Sequence, residues 1–202
     1  MPDAQPPAAR PIRSVAVFCG SREGNNPAFR AAASELGAGL ALAGMRLVYG
    51  GGRIGLMGIV ADAVLAAGGE ALGVIPEFLT GREVMHHGVR DLVITDSMHS
   101  RKQHMFEAAD AFVMLPGGLG TLDEIVEIIT WRQLGLHDKP VLLCDVAGSA
   151  RPIMAAFEAS VAMDFARADA MALFELLPGA AATLARLGQL HRGMVPGDAE
   201  RL

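Results

Sequence analysis

The 202-residue sequence predicts an α/β fold, a doubly wound parallel sheet covered by helices on both faces in three layers. Three observations carry that prediction. Hydrophobic residues make up 51% of the chain and aromatics only 5%, which suits Val-, Ile- and Leu-rich strands buried on both sides. Short β-rich runs alternate with helix-length segments through brief connections, the pattern of right-handed βαβ units. Glycine-bearing loops, "FCGSREG", "VYGGGRIGLMG" and "MLPGGLGT", follow three of the strands. In such sheets ligands bind beyond the carboxyl ends of the strands, in the crevice where strand order reverses.

Each element has its own signal. "SVAVFCG" is a β-rich run that ends at Gly20. "PAFRAAASELGAGLALAG" reads as a helix, with Pro27 in its first turn and Gly44 at its end. "MRLVYG" is a second strand, and "LMGIVADAVLAAGG" a second helix closed by Gly68 and Gly69. "EALGVIP" is a third strand, followed by an irregular stretch from Glu77 to Gly88. "DLVITD" is a fourth strand, and "MHSRKQHMFEAA" a helix with Asp96 or Ser97 as N-cap. "DAFVMLP" is a fifth strand and "TLDEIVEIITWRQLG" a helix whose core stripe is Leu122, Ile125, Val126 and Ile129. "KPVLLCDV" is a sixth strand, and "RPIMAAFEASVAM" a helix with Pro152 near its start. "ALFELL" is a last strand and "PGAAATLARLGQL" a closing helix. One Rossmann-like domain over residues 13–190 follows, with a disordered segment over 1–12 and a flexible tail over 191–202.

Composition narrows the function classes. A net charge of −5 excludes a nucleic-acid binder driven by overall positive charge, so an anionic ligand needs a local positive site. The start is Pro/Ala-rich without the apolar core of a signal peptide, and no apolar run reaches the length of a membrane span. Cys19 and Cys144 fall in predicted buried strands, as expected of core thiols in a reducing compartment. The expectation is a soluble cytoplasmic protein. His86, His87, His99, His104 and His137 form no metal-ligand spacing.

The loops carry the chemistry. Gly50-Gly51-Gly52-Arg53-Ile54-Gly55 matches G-x-G-x-x-G between a strand and a helix. A dinucleotide site also needs an acid at the end of the next strand, whereas Glu70 precedes that strand and Glu77 follows it. The other readings are tight turns with close strand–helix packing, and close backbone approach to a mononucleotide. In "MLPGGLGTLDEI" the amides that open the helix can face a phosphate, but no Lys follows as in a P-loop. Thr121 and Glu124 also fit a capping box, with Thr121 as N-cap and Glu124 at the third helical position. The alternative is catalytic. A carboxylate held ionised near a helix N-terminus stabilises the oxocarbenium-like transition state of glycosidic cleavage. Phosphate amides and Glu124 then serve two ends of one nucleoside 5′-monophosphate. Arg101 and Lys102, at the start of the preceding helix, supply local positive charge, or else form a solvated pair.

"PGGLGTLDE" resembles the PGGxGTxxE signature of the Lonely Guy (LOG) family, and "MHSRK" its preceding Arg-Lys motif. "FCGS", "YGGGRIGLMG", "GVIP" and "ITWRQLGLHDKPV" follow that family in order, so the likeness runs from about Ser14 to Leu190. The resemblance implies a Rossmann-like homodimer or larger homo-oligomer that hydrolyses cytokinin riboside 5′-monophosphates, and AMP in many relatives, to free base and ribose 5-phosphate. It implies Arg101 and Glu124 as catalytic residues. It implies substrate contacts at Glu83, Lys102, Gly117, Gly118, Leu119, Gly120, Thr121 and Thr130, with Ser21 and Gly51 beside them. No metal or redox cofactor, nucleic acid or membrane is implied. The chain departs from the family pattern at Arg22, at Glu77 and at Leu119, which is commonly aromatic in plant relatives. Such proteins also carry the label lysine decarboxylase. A pyridoxal enzyme needs a Schiff-base lysine, and this chain has only Lys102 and Lys139.

Overall fold

A computed structural model describes residues 10–80 and 85–192. In chain order the elements are β1 (Arg10–Pro11), β2 (Ser14–Phe18), α1 (Pro27–Leu42), β3 (Arg46–Tyr49), α2 (Gly55–Ala66) and β4 (Ala71–Pro76). After a 3-10 turn at Glu77–Leu79 come β5 (Asp91–Thr95), α3 (Met98–Ala108), β6 (Ala111–Met114), α4 (Leu119–Gln133) and β7 (Val141–Cys144). The last are α5 (Arg151–Ala162), a 3-10 turn at Ala168–Ala172, β8 (Glu175–Leu177), α6 (Gly179–Gln189) and β9 (His191–Arg192).

Seven strands form one sheet in the order β5-β4-β3-β2-β6-β7-β8, and each pair is parallel. The chain winds outward from β2 to β5, then returns to the other side of β2 and winds out to β8. The reversal therefore falls between β2 and β6, as expected of a doubly wound sheet. Alternation along the strands divides the core in two. Val15, Val17, Tyr49 and Val113 join α1, α2 and α6 on one face, and Ala16, Phe18, Val48 and Phe112 join α3, α4 and α5 on the other. Each fully buried Val or Phe among them contributes about 1.5–3 kcal/mol.

The caps explain the helix starts. Asn26 accepts from the Ala28 amide at 3.0 Å with Pro27 next in line, so α1 starts where the sequence places it. Ser97 rather than Asp96 is the N-cap of α3, and it exchanges hydrogen bonds with Ser100. Three expectations change. Helix α4 begins at Leu119, two residues before Thr121. Its buried face is Thr121, Glu124, Ile125, Ile128 and Ile129, while Leu122 and Val126 are 36% and 40% exposed. Residues 10–11 and 191–192, placed by the sequence reading in a disordered segment and a flexible tail, pair with each other as β1 and β9 in a separate antiparallel sheet, through Arg10–Arg192 and Pro11–His191.

Candidate active site

The crevice at the strand reversal is walled by the first and third glycine loops, which are zipped together. Gly20 donates its amide to the Pro116 carbonyl at 3.0 Å, and Leu115 donates to Phe18 at 2.9 Å. Glycine is required for this approach. A Cβ at Gly20 would sit 2.8 Å from the Arg22 carbonyl oxygen, and one at Gly117 would strike the Thr121 hydroxyl.

Helix α4 opens on this crevice. Its N-cap is Gly118, with no side chain to cap the first turn. The first helical bond runs from the Leu122 amide to Gly118 at 3.1 Å, so the first-turn amides of Leu119, Gly120 and Thr121 have no capping side chain. These residues line a cavity of about 170 Å³ together with Ser21, Arg101 and Glu124. A Cβ at Gly118 or Gly120 would meet nothing within 4 Å, so the open side of the loop faces space. The capping box expected of Thr121 and Glu124 does not form. The Pro116-Gly117-Gly118 turn starts the helix early, which buries Thr121 inside it and carries Glu124 into the second turn, on the cavity wall.

The start of α2, under the G-x-G-x-x-G loop, is occupied. The Gly20 carbonyl accepts from the amides of Leu56 at 3.0 Å and Met57 at 3.3 Å. A Cβ at Gly55 would collide with the backbone of Ser21 and Arg22. The fingerprint glycines thus serve packing of the first loop on α2, and the amides a dinucleotide pyrophosphate would need are already used.

Arg101 and Glu124 meet in the cavity wall, 5% and 7% exposed, with Nη2 and Oε1 3.6 Å apart. Arg101 Nε donates to the Val74 carbonyl at 3.1 Å, which ties the guanidinium to β4. At 3.6 Å the pair is coupled by charge but is too long for the forked hydrogen bonds that make an Arg–carboxylate contact rigid. Gly50 makes room for it, since a Cβ there would strike Arg101 Nη2.

The other residues singled out from the sequence divide. Ser21, Gly118, Leu119, Gly120 and Thr121 line the cavity, and Gly117 backs it. Gly51, with φ +76°, packs against Ile75 behind the wall, and its neighbour Gly50 is on the wall instead. Lys102 turns from the cavity to Asp123 at 3.1 Å and Glu127 at 3.0 Å. Burial pulls its ammonium down, but its hydrogen bonding to the Glu127 and Asp123 carboxylates and their charges outweigh this and hold it above the usual lysine value. Thr130 is exposed about three turns along α4, donating to the Val126 carbonyl at 2.8 Å. Glu83 lies outside the described residues. The sequence reading missed Gly50, Cys19 and three methionines (Met57, Met98 and Met105) on the wall. Cys19 follows β2 rather than lying in it. The position of Gly50 directly after a strand was the available signal; nothing local marks the methionines.

A parallel α/β sheet with an open helix terminus beside a buried Arg–Glu pair at its strand reversal defines a Rossmann-like α/β protein. A protein-family profile described as "Possible lysine decarboxylase" matches residues 57–187. The cytokinin riboside 5′-monophosphate phosphoribohydrolase LOG of Oryza sativa subsp. japonica is 44% identical over 169 residues, 84% of this chain and 70% of that protein. The cytokinin riboside 5′-monophosphate phosphoribohydrolase of Rhodococcoides fascians is 45% identical over 152 residues, 74% of this chain and 77% of that one. The molybdenum cofactor carrier protein of Chlamydomonas reinhardtii superposes with a TM-score of 0.66 at 21% identity, over 89% of this chain and 97% of that one, a likeness of fold. The chain belongs to the LOG family, to which this profile and these relatives point.

The decarboxylase label finds no lysine suited to it. Lys102 is held by two carboxylates. Lys139 is buried, donates to the Phe106 carbonyl at 2.6 Å and stands 4.0 Å over the Phe106 ring. Neither lines the cavity, where Schiff-base chemistry on a bound substrate would need its amine.

Proposed function

We propose that the protein hydrolyses the N-glycosidic bond of cytokinin riboside 5′-monophosphates, and of AMP, releasing the free base and ribose 5-phosphate. The observation that carries this reading is the buried Arg101–Glu124 pair beside the uncapped amides of α4 in one cavity. The LOG relatives named for this activity support it. The amides of Gly118, Leu119, Gly120 and Thr121 hold the 5′-phosphate, with Ser21 and Gly117 forming the opposite wall. Water adds its oxygen to C1′ as the bond to the base breaks. The bonding pair leaves with the base nitrogen, which takes a proton. Glu124 stabilises the positive charge that develops on the ribose, and Arg101 positions the substrate and assists departure of the base. Glu83 and Thr130 contact substrate in this reading, and Gly51 acts through the wall it supports.

The reading includes a homodimer or larger homo-oligomer in the cytoplasm. Leu122 and Val126 on α4 and Leu134 at its C-cap leave an exposed apolar stripe beside Thr130, and both cysteines are buried, which support those two parts. Light scattering that finds only monomer would oppose the first.

Incubation with isopentenyladenosine 5′-monophosphate and with AMP, followed by chromatography, is expected to yield free base. Binding without base release would favour a nucleotide carrier instead. Glu124→Gln is expected to lower kcat by about 10²–10³-fold, the usual effect of removing one electrostatic stabiliser. A folded variant with near-normal turnover would remove Glu124 from the mechanism.

A further inference from the structure

The cavity that holds Arg101 and Glu124 has a volume of about 170 Å³. Sites that enclose a small organic ligand run to about 300–1,000 Å³. A nucleotide with its ribose at Glu124 must therefore extend beyond this cavity. A second cavity, of about 690 Å³, adjoins it. Gly20, Ser21, Gly118 and Leu119 line both, so the opening of α4 stands between them. A phosphate on the first-turn amides lies at that junction, with the second cavity on its outer side.

A phosphate monoester carries about −1.5 to −2 charges at neutral pH, and a helix N-terminus offers about half a positive charge. Most other charges around the junction are engaged. Arg101 faces Glu124 in the inner cavity. Lys102 is bound by Asp123 and Glu127. On the wall of the outer cavity Glu23 accepts two bonds from Arg30, at 2.9 and 3.1 Å. Arg22, on the same wall, differs from all of these. It is exposed, and its guanidinium has no hydrogen bond or ion pair with a described residue. Its backbone is packed closely from two sides. A Cβ on Gly20 would lie 2.8 Å from the Arg22 carbonyl oxygen, and one on Gly55 would strike the Arg22 nitrogen. The first loop thus holds an unengaged cation in the cavity that Gly117, Gly118 and Leu119 also line.

We propose that Arg22 is the counter-ion of the 5′-phosphate: from the outer cavity its planar fork takes phosphate oxygens that the α4 amides leave free. The site then selects a 5′-phosphate by a full charge as well as by backbone amides. The proposal rests on the nucleotide reading above. The phosphate does not change as the glycosidic bond breaks, so this contact stabilises bound substrate and transition state alike. Arg22→Met is expected to raise KM for isopentenyladenosine 5′-monophosphate about tenfold, with kcat changed by less than about twofold. Titrations followed by NMR, which reach millimolar affinities, are expected to show AMP binding weakened by the same factor and adenosine binding unchanged. Arg22→Lys keeps the charge without the fork and is expected to lose only about threefold. The melting temperature of Arg22→Met is expected to match the wild type, since the guanidinium it removes has no partner in the fold.

Two results overturn the assignment. One is an Arg22→Met variant that binds AMP as tightly as the wild type. The other is an equal loss of affinity for AMP and for adenosine, which would make Arg22 a support of the loop or a contact of the nucleoside. If the wild-type protein binds AMP but releases no base, the hydrolysis reading fails, and the comparison of AMP with adenosine still decides the role of Arg22.

Discussion

The loops that enter α2 and α4 are both rich in glycine and both end at the carboxyl edge of the sheet, yet their helix termini have opposite fates. At α2 the Gly20 carbonyl takes the amides of Leu56 and Met57. At α4 no side chain caps the first turn, and its residues line the cavity. The loop with the better-known glycine fingerprint is therefore the closed one. What separates them is tertiary: the first loop folds onto α2 through Gly55, and it leans on the third loop at Gly117 without reaching the α4 amides. A glycine pattern shows where a backbone can come close. It does not show whether the approaching group is a ligand or another loop.

The comparison can be tested most strongly by closing the open terminus. Gly120→Asp places a carboxylate among the α4 amides, where a Cβ meets nothing within 4 Å. Calorimetry with AMP is expected to show about a hundredfold weaker binding, near 2.7 kcal/mol, while the melting temperature holds or rises because an acid suits the first turn. Unchanged affinity would mean that the phosphate sits elsewhere. Next in size is the closed terminus. Gly55→Ala meets backbone atoms at φ +59°, and urea denaturation is expected to show a loss on the order of 2–3 kcal/mol. The same change at Gly120 is expected to stabilise by about 0.5–1 kcal/mol, since alanine is the better helix former and nothing crowds it. Equal effects at the two glycines would erase the distinction drawn between the helices.

The smallest expected effect concerns how α4 is seated. His137 Nε2 donates to the Ile128 carbonyl at 2.9 Å and Nδ1 accepts the Lys139 amide at 3.1 Å, so the bonded ring is neutral. Burial lowers its pKa below the ordinary 6.5; the Ile128 bond opposes this, and the charges of Lys139 and Arg132 add to it. Because the unfolded chain then binds the proton more tightly, this contribution is complete above 6.5 and is lost as pH falls from there through the folded value. Thermal melts across that window should decline toward acid in the wild type and less in His137→Asn. Parallel declines would remove His137 as the cause.

Most of the fold was legible because the central strands are short apolar runs buried on both faces, and because Pro27 and Ser97 mark helix starts in the local sequence. The start of α4 was not. Its N-cap is a glycine, which leaves no side-chain signature, and Thr121-x-x-Glu124 offered a false one. The exposure of Leu122 and Val126 was hidden for a related reason, since helical spacing identifies an apolar stripe but cannot say whether this chain's own sheet covers it. Arg101 and Glu124 could be paired from their motifs. The service of Gly50 to Arg101, the plugging of α2 and the two carboxylates on Lys102 depend on residues brought together only by folding.

The pairing of β1 with β9 has a mechanical consequence. Arg10 faces Arg192, so tension applied outward from these two residues pulls on the same end of an antiparallel pair and opens its bonds one at a time. The load then passes to β2, which lies between two parallel neighbours and must be sheared along its whole length. Optical-trap extension from these points is expected to show a soft first release and a much stiffer second one. A single rupture would mean that the pair carries load together with the sheet.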